Sequence, residues 1–370
     1  MKQDQQVIYK GLEGIYVDTT AISQIDGELG LLSYRGIPIE ELVGLDFATV
    51  CFLVLFGRRP CVNEREELET FLLGNSHTTK KEEAILGSIP EGLHPMKVLQ
   101  GMIPLIDLEN ENNLKGAYSE ELRNGLMVAA KLPAILAAFH RIRIGEKVLS
   151  IKKGLSFNAN FLYRFTGKLP TDLETKTLDT AQILQMEHGF NASTYSARVT
   201  ASTLAPVEVA LSAAIGTLYG KLHGRADQAA LEMAMEIGRV EDVENFILSA
   251  LDSKKKIMGM GHRVYKVVDP RAKILRPMAE ALCAGTPFEG NFRVLEKIEE
   301  VMGTEMLKKG KHIKANVEFY KGPVFYALGI PTQYFTSLFA MSRTFGYLAH
   351  ILESRKDNKL IRPKAFYVGN

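Results

Sequence analysis

Residues 331–352 read Pro-Thr-Gln-Tyr-Phe-Thr-Ser-Leu-Phe-Ala-Met-Ser-Arg-Thr-Phe-Gly-Tyr-Leu-Ala-His-Ile-Leu. Apolar residues recur here at intervals of three and four, namely at Leu338, Met341, Phe345, Leu348 and Leu352. That spacing is typical of a helix that packs along one side. Pro331 suits the first turn of this helix, where a missing N–H costs nothing. The same period dominates the chain from Pro38 onward, so we expect a mainly α-helical protein.

A short region near the start departs from the helical pattern. Gly14 to Ser33 combines β-branched and aromatic residues around Asp26-Gly27, a dipeptide favoured in tight hairpin turns. We find no second region with a sustained period of two. The expected fold is therefore mainly α with a small N-terminal β element. Thr171 and Glu174 also fit a capping box, which predicts the start of a helix.

Composition excludes several classes of protein. Of the 370 residues, 46% are apolar and 24% are charged, which is typical of globular proteins. The net charge is only +2, so we expect neither nucleic acid nor an anionic membrane as a partner. The most continuous apolar stretch, Phe47 to Phe56, is about half the ~20 residues that a membrane-spanning helix needs.

The cysteines and the first six residues give information about the cellular location. Cys51, Cys61 and Cys283 are too few and too scattered for a disulfide framework, which favours a reducing compartment. The first six residues lack the apolar core of a secretory signal and the arginines of a transit peptide. We expect a cytoplasmic protein.

Glycine and proline interrupt the helical pattern twice, near Gly220 to Gly224 and near Gly329 to Pro331. The most basic local sequence lies between these two breaks. We therefore expect a small domain of residues 224–328 inserted into a large helical domain of residues 1–223 and 329–370. A ligand cleft would lie between them.

Several common site motifs are missing from the sequence. There is no His-Glu-x-x-His pair and no Cys/His cluster with zinc spacing, so we expect no metal site. Gly259 and Gly261 resemble the start of a dinucleotide-binding loop, but Val264 occupies the place of the third glycine. There is also no Walker loop and no Gly-x-Ser-x-Gly elbow.

Histidines stand out in glycine-rich or helix-terminal contexts. Taken alone, His188 at the end of a helical row is more often a buried structural histidine, and His223 in Leu-His-Gly suits packing and catalysis equally. Residues 258–271 read Met-Gly-Met-Gly-His-Arg-Val-Tyr-Lys-Val-Val-Asp-Pro-Arg. The glycines allow close ligand approach, while His262 and Arg271 present a donor and a fixed cation. This segment indicates a binding loop.

Five segments occur in a specific order: 188–199, 222–224, 258–271, 315–322 (Ala-Asn-Val-Glu-Phe-Tyr-Lys-Gly) and 360–369 (Leu-Ile-Arg-Pro-Lys-Ala-Phe-Tyr-Val-Gly). Together with Ser-Arg343 in the last long helix, they resemble the citrate synthase family from about Val7 to Asn370. The likeness is closest to the short archaeal and bacterial dimeric type. 2-Methylcitrate synthases share the same framework.

The resemblance implies a two-domain citrate synthase-like fold and a condensation of acetyl-CoA with oxaloacetate, followed by hydrolysis to citrate and CoA. It implies no tightly bound cofactor, since the coenzyme A thioester is a co-substrate. In this family's pattern His223 stabilises the enol oxygen, His262 polarises the ketone and Glu318 is the base. A thioester methyl proton is very weakly acidic, so a base and a donor must flank the same carbon.

The resemblance also implies binding residues. Arg271, Arg343 and Arg362 match three substrate arginines, with Arg362 reaching the partner's site in a homodimer. Outside these motifs, a surface salt bridge is the commoner role of an arginine. His188 matches a further oxaloacetate ligand, and Ser193 the residue that hydrogen-bonds His223. For coenzyme A, the resemblance points to Lys256, Ile257, Met258, Gly259, Met260 and Gly261 at the adenine, and to Lys266 at a phosphate.

This sequence departs from the family pattern in three places. Gln185 stands where many relatives carry His or Tyr, three residues before His188 and on the same helix face. Glu318 stands where aspartate is usual; one extra methylene displaces a carboxylate by ~1 Å, which can cost ~100-fold in rate. Lys221, Arg225 and Asp227 place new charges beside His223. Three hypotheses therefore stay open: a citrate synthase, a 2-methylcitrate synthase that uses propionyl-CoA, and a catalytically weakened paralogue that binds oxaloacetate or CoA.

Overall fold

The computed structural model describes residues 7–108, 114, 118–224, 226–262 and 264–369. This part of the chain holds sixteen α-helices and one small sheet, which confirms the prediction of a mainly α protein. The helices are α1 Ile39–Leu42, α2 Phe47–Phe56, α3 Val62–Asn75, α4 Lys80–Ser88, α5 Pro95–Met102, α6 Glu120–Arg143, α7 Phe157–Thr166, α8 Asp172–Gln185, α9 Ala192–Ala201, α10 Val207–Leu218, α11 Ala226–Ile237, α12 Val243–Asp252, α13 Pro270–Cys283, α14 Glu289–Lys308, α15 Val317–Ala327 and α16 Phe335–Arg355.

The N-terminal sheet is antiparallel, in the order β1-β2-β3. Its strands are β1 Ser23–Asp26, β2 Leu31–Tyr34 and β3 Ile37–Pro38. Asp26 pairs with Leu31, and the Asp26 carboxylate accepts hydrogen bonds from the backbone N–H of Glu28 and of Leu29. The predicted hairpin around Asp26-Gly27 is confirmed. It is shorter than expected, and the two-residue β3 carries too little sequence pattern to predict.

Helix α16 lies at the centre of the molecule. It packs against α2, α6, α9 and α10, and its side chains are buried on every side from Phe335 to Ile351. The predicted one-sided stripe was wrong in this respect, because neighbouring helices surround α16. Its polar residues Arg343 and His350 are consequently buried as well. Pro331 precedes a short 3-10 turn, Thr332–Tyr334, that leads into α16, and so lies outside the first turn of that helix.

Helix α6 is long and apolar enough to cross a membrane by length and composition alone. Within the fold, 89% of the most apolar stretch of this helix is buried, and the helix packs against α16, α7, α3 and α4. A central core helix has these same properties. At the start of α8, Thr171 and Glu174 form the predicted capping box, with each side chain accepting from the other residue's backbone N–H.

Helices α11 to α15 pack largely against one another. Helix α15 lies between α11 and α13, and α14 contacts α11, α12 and α13. This group also touches the rest of the chain, since α13 contacts α8 and α11 contacts α16. The assignment of 224–328 to a separate small domain remains a prediction.

Candidate active site

Seven of the predicted site residues come from separate elements and converge on one region. His188 follows α8, Ser193 is in the first turn of α9, and His223 lies in the turn between α10 and α11. His262 lies in the loop before α13, and Arg271 begins that helix. Glu318 is in the first turn of α15, and Arg343 is in the middle of α16.

Charges within this region influence the pKa values of one another's side chains. The ring centroids of His188 and His262 are 5.6 Å apart. The Glu318 carboxylate acts on His223 and on His262. Arg343 acts on His188 and on His223, and Arg271 acts on His188 and on His262. The structure therefore brings three histidines, two arginines and one carboxylate into the same electrostatic environment.

His262 is held in a single tautomer by the backbone. Its Nδ1 accepts hydrogen bonds from the N–H of Val264, at 3.0 Å, and of Tyr265, at 3.1 Å. An imidazole nitrogen that accepts cannot carry the proton, so the proton of the neutral ring lies on Nε2. Burial, followed by the nearby Arg271 cation, lowers the pKa of His262. His262 is thus a neutral Nε2–H donor.

His188 is the second imidazole of this pair. Its Nε2 lies 3.2 Å from the hydroxyl of Tyr265, the residue whose backbone also bonds His262. Burial, then Arg271 and Arg343, place the pKa of His188 well below its usual value. A neutral ring flanked by two cations can contact an anionic ligand without adding a further positive charge.

His223 is positioned through Ser193. The Ser193 hydroxyl lies 2.6 Å from Nε2 of His223, accepts a hydrogen bond from the Tyr347 hydroxyl at 2.7 Å and donates to Oδ1 of Asn191 at 2.8 Å. Burial, followed by the positive charge of Arg343, lowers the pKa of His223 to about 4. The next residue, Gly224, has no room for a side chain, because a Cβ there would lie 2.4 Å from the carbonyl oxygen of Leu218. His223 is therefore a neutral imidazole on a close-packed turn.

Arg271 is anchored by the residue that caps its helix. Asp269 accepts from the backbone N–H of Arg271 and binds its side chain in a fork, with Nε to Oδ1 at 3.0 Å and Nη2 to Oδ2 at 2.8 Å. The same carboxylate accepts from the N–H of Val317, at the start of α15. One buried aspartate thus ties the arginine to the helix that carries Glu318. Within the described part of the chain, the two bonds to Asp269 are the side-chain hydrogen bonds of Arg271, so its other guanidinium N–H groups can bind a ligand.

Arg343 is fully buried in α16. Its Nε donates to the backbone carbonyl of Gln185 at 2.6 Å, and its guanidinium lies 4.6 Å from the centroid of the Phe339 ring. Both contacts fix the direction of the planar group. A fixed, desolvated guanidinium suits a carboxylate ligand.

Glu318 lies in the first turn of α15, where the partial positive charge of the helix end favours a carboxylate. Its side chain is 17% exposed. Burial alone raises the pKa of Glu318, but Lys321 and Arg271 act in the opposite direction and the net effect is a lowered pKa. Glu318 is therefore an ionised, partly accessible acceptor of protons.

The loop of residues 256–261 is fastened to the chain just before Glu318. Gly261 N–H donates to the Lys314 carbonyl at 2.8 Å, and Asn316 donates to the carbonyls of Gly259 and Gly261. Gly259 has φ +77°, and a Cβ there would lie 2.7 Å from the Phe319 ring. Ile257 and Met260 are buried, whereas Lys256 is exposed. The loop and the candidate base therefore form one unit.

Two predicted residues lie elsewhere in the described chain. Lys266 is exposed and pairs with Glu28 in the β1–β2 turn. Arg362 is exposed in the C-terminal segment after α16, and no hydrogen bond or ion pair joins it to the histidines within the residues that the structure describes. Of the charges predicted beside His223, Lys221 is exposed, Asp227 is buried, and Arg225 lies outside the described residues.

Sequence reasoning missed several residues of this site. Tyr347 and Tyr265 hydrogen-bond a serine and a histidine, Asp269 holds Arg271, and Lys321 lies beside Glu318. One signal was available: Lys321 is a single lysine three residues after Glu318 in an otherwise apolar helix, so the two share a helix face.

Comparison with known proteins identifies the family. A family model described as "Citrate synthase, C-terminal domain" matches residues 11–364. The chain belongs to the citrate synthase family. A citrate synthase of Synechocystis is 38% identical over 371 residues, covering 100% of this chain and 93% of that protein. This confirms the resemblance read from the five segments.

A second relative and a solved structure extend this likeness. A 2-methylcitrate synthase of Shewanella oneidensis is 33% identical to this chain. The alignment covers 100% of this chain and 97% of that protein. A structure of the Thermoplasma acidophilum citrate synthase, a ternary complex with carboxymethyl coenzyme A and oxaloacetate, has a TM-score of 0.90 at 28% identity. The structural alignment covers 99% of this chain and 97% of the Thermoplasma acidophilum chain. The citrate synthase-like helical fold is therefore confirmed.

Proposed function

We propose that this protein is a citrate synthase, which condenses acetyl-CoA with oxaloacetate and hydrolyses the citryl thioester to citrate and CoA. One observation carries the proposal: the Glu318 carboxylate shares its environment with two neutral imidazoles, His223 and His262. In such a site the carboxylate removes a weakly acidic proton, and each imidazole stabilises the charge that develops on one carbonyl oxygen. The family membership supports the same reaction.

In the first step Glu318 removes a proton from the methyl group of acetyl-CoA. The electron pair of the broken C–H bond forms the carbon–carbon double bond of the enol, and charge develops on the thioester oxygen. His223 donates to that oxygen through Nδ1–H, because Nε2 is turned toward Ser193. This requires the Ser193 proton to turn from Oδ1 of Asn191, its acceptor in this structure, to Nε2 of His223, while Ser193 accepts from Tyr347.

In the second step the enol carbon attacks the ketone carbon of oxaloacetate. A carbon–carbon bond forms, and the ketone's electron pair moves to its oxygen, which takes the proton on Nε2 of His262. The two backbone N–H groups on Nδ1 stabilise the negative charge that the ring then gains. Arg271, Arg343 and His188 hold the two carboxylates of oxaloacetate in this arrangement.

In the last step water cleaves the citryl thioester. The water oxygen bonds to the acyl carbon, the C–S bond breaks, and the sulfur leaves as the coenzyme A thiol with one proton of the water. The other proton goes to solvent as the new carboxylate ionises. The proton that Glu318 took from the methyl group returns to Nε2 of His262, so both residues regain their starting states. CoA is therefore a product of each turnover and needs no tight site. We propose that residues 256–261 receive its adenine and that Lys266 exchanges Glu28 for a phosphate.

We further propose a cytoplasmic homodimer in which residues 224–328 form a small domain that closes on a large one. Closure brings the acyl-CoA loop and Glu318 toward oxaloacetate and excludes water from the enol. Arg362 completes the site from the partner subunit, which agrees with its exposed position away from the histidines of its own chain. The cytoplasmic location rests on the sequence alone.

A thiol-release assay with acetyl-CoA and oxaloacetate tests the activity. We expect steady release of CoA that requires both substrates and yields citrate. A folded protein that binds oxaloacetate but releases no thiol at high enzyme concentration would refute the proposal.

The relative from Shewanella oneidensis favours a second candidate, 2-methylcitrate synthase. The two substrates differ by one methylene, which an apolar pocket distinguishes by only ~1–3 kcal/mol. The ratio of kcat/KM for acetyl-CoA and propionyl-CoA decides between them. We expect acetyl-CoA to be preferred, and a reversed ratio would assign the second activity.

A weakened paralogue that only binds oxaloacetate or CoA is the remaining alternative, and the glutamate at position 318 motivates it. Glu318→Asp discriminates, because it restores the usual length of the base. If the wild-type protein is fast and Glu318→Asp is no faster, the weakened-enzyme idea fails. A slow wild type that gains rate on substitution would support it.

A further inference from the structure

A lysine lies buried beside the proposed base. The side chain of Lys321 is 1% exposed, and that of its partner Asp227 is 0% exposed. Lysine almost never lies inside a protein unless its charge is paired, because removing an ammonium from water is costly. This pair lies within the proposed active site, so its position calls for a role beyond holding the fold together.

Contacts from four helices hold the Lys321 ammonium. It lies 3.4 Å from Oδ2 of Asp227 on α11 and 3.8 Å from Oε1 of Glu318 on its own helix α15. It also donates to Oε1 of Gln185 on α8 at 3.3 Å, and it lies 4.2 Å from the centroid of the Phe339 ring on α16. One cation is thus shared between two carboxylates.

The two carboxylates play different parts. Asp227 is closer to the ammonium and buried, whereas Glu318 is farther away and partly accessible. A lysine bound to Glu318 alone would hold its carboxylate as a stable ion pair and make it a weaker base. Because Asp227 holds the ammonium at the shorter distance, the cation orients the Glu318 carboxylate but leaves it able to accept a proton.

We propose that Lys321 and Asp227 form a charge-paired anchor that aims the Glu318 carboxylate at the substrate methyl group. The inference rests on the proposed function, in which Glu318 is the base. Lys321 and Asp227 are positioning residues, since they act through Glu318 and touch no reacting atom. An anchor of this kind compensates for the extra methylene of glutamate, whose longer side chain has one more rotatable bond to restrain.

Several charged or titratable groups face Glu318. Those on or beside the packed elements are Lys321, Asp227, Arg271, Asp269, His262, His223 and Tyr265. Only the first two are altered in the variants. Any change in the titration of Glu318 is then due to the anchor.

The variants are Lys321→Met, Asp227→Asn and the double variant, in which both partners are neutral. The direct measurement is the pKa of Glu318, from a ¹³C NMR titration of protein labelled at glutamate Cδ, with Glu318→Gln to assign the resonance. We expect this pKa to rise by about 1 in Lys321→Met, where a cation is lost, and to fall in Asp227→Asn, where the cation turns wholly to Glu318. Lys297→Met, which removes an exposed ion pair with Glu300, is the matched control and leaves it unchanged.

In turnover, we expect kcat to fall about 10- to 100-fold in Lys321→Met with little change in KM for oxaloacetate. The acid limb of the kcat profile should move in the same directions as the NMR titration. If neither variant moves the Glu318 titration while thermal unfolding shows a folded protein, the anchor idea is overturned. If a single variant does not fold, the double variant is compared with the one that does. It differs from Asp227→Asn by the lost cation, so its Glu318 pKa should be higher than in that variant, and it differs from Lys321→Met by the lost carboxylate, so its Glu318 pKa should be lower than in that one. Equal values in the two folded variants overturn the idea. Because NMR needs no turnover, an inactive wild type would refute the proposed function without deciding the anchor.

Discussion

The hydroxyl oxygen of Ser193 lies 2.6 Å from Nε2 of His223, which leaves Nδ1 as the nitrogen that faces a ligand. The neutral ring carries one proton, and its location decides whether Nδ1 donates or accepts. Tyr347 donates into the same serine oxygen, and Oδ1 of Asn191 accepts from the serine hydroxyl at 2.8 Å, so the single Ser193 proton points either to Asn191 or to His223. The direction of this one proton therefore selects the tautomer of His223: when it points to Nε2, the ring proton lies on Nδ1.

Ser193→Ala should impair this chain without unfolding the protein. We expect kcat to fall about 10- to 100-fold, because Nε2 loses its donor and the ring is no longer held with its proton on Nδ1. KM for oxaloacetate should change by less than about twofold. Ser196→Ala is the matched control, since Ser196 lies on the same helix and its hydroxyl bonds only the Ala213 carbonyl among the described residues. An equal loss in both variants would contradict a role through His223.

His223→Ala separates catalysis from binding. In the proposed mechanism His223 contacts the thioester oxygen as charge develops, and it makes no bond to oxaloacetate. We expect turnover to disappear while the Kd for oxaloacetate, measured by calorimetry, is retained. A loss of affinity as large as the loss of rate would place His223 in ground-state binding instead.

Arg362 can be tested by mixing two inactive variants. We expect Arg362→Ala and His262→Ala homodimers each to lose most activity. If Arg362 acts in the partner's site, a hybrid dimer has one site with both residues intact and one with neither. Separate tags on the two chains allow the hybrid to be purified, and about half of the wild-type rate per dimer should return. A hybrid as inactive as its parents would place Arg362 in its own chain's site or outside both.

Gly259→Ala should disturb the loop that carries the proposed adenine site. Residue 259 has φ +77°, and a Cβ there meets the Phe319 ring at 2.7 Å. Gly285→Ala is the control, because φ is +67° there and nothing lies within 4 Å. We expect about 1–2 kcal/mol of lost stability in the control from backbone strain alone. Gly259→Ala should lose about 1–3 kcal/mol more, with a raised KM for acetyl-CoA. Equal losses of stability in thermal unfolding would argue against the clash.

Acid should destabilise the protein partly through His140. Burial, followed by the charge of Arg141, lowers the pKa of His140 to about 4, and its ring stacks on Phe165 at 4.0 Å. The unfolded chain binds this proton near pH 6.5, so the stability from a neutral His140 is present above that pH and is lost as the pH falls toward 4. We expect Tm to fall from pH 7 to pH 4.5, and to fall less in His140→Phe. A pH dependence identical in both proteins would contradict this assignment.

Much of the site could be predicted because its functional residues lie in short sequence segments. Leu-His-Gly contains both His223 and the glycine that lets its turn approach Leu218 closely. The loop around His262 contains its own hydrogen-bond partners, since the N–H groups of Val264 and Tyr265 follow within three residues. Local geometry of this kind depends on neighbours in the chain.

Other features had no local signal. Tyr347 reaches Ser193 across 154 positions of the chain, and Lys321 reaches Gln185 across 136. Lys266, which is predicted to bind a phosphate, pairs with Glu28 in this structure, because the β1–β2 turn packs on its loop and the Lys266 backbone N–H donates to the Gly27 carbonyl. Contacts between distant segments arise only when helices pack, and no periodicity or motif encodes them.

The helical class, the hairpin at Asp26-Gly27 and the residue types that the reaction needs could all be predicted from local sequence. The protons that those residues hold and the charges that surround them depend on how distant segments pack in the folded protein. Helix-to-helix packing removes His188, His223 and His262 from water and places buried arginines beside them, so all three rings are neutral. Protonation depends on the local dielectric and on nearby charge, and both are properties of the folded chain.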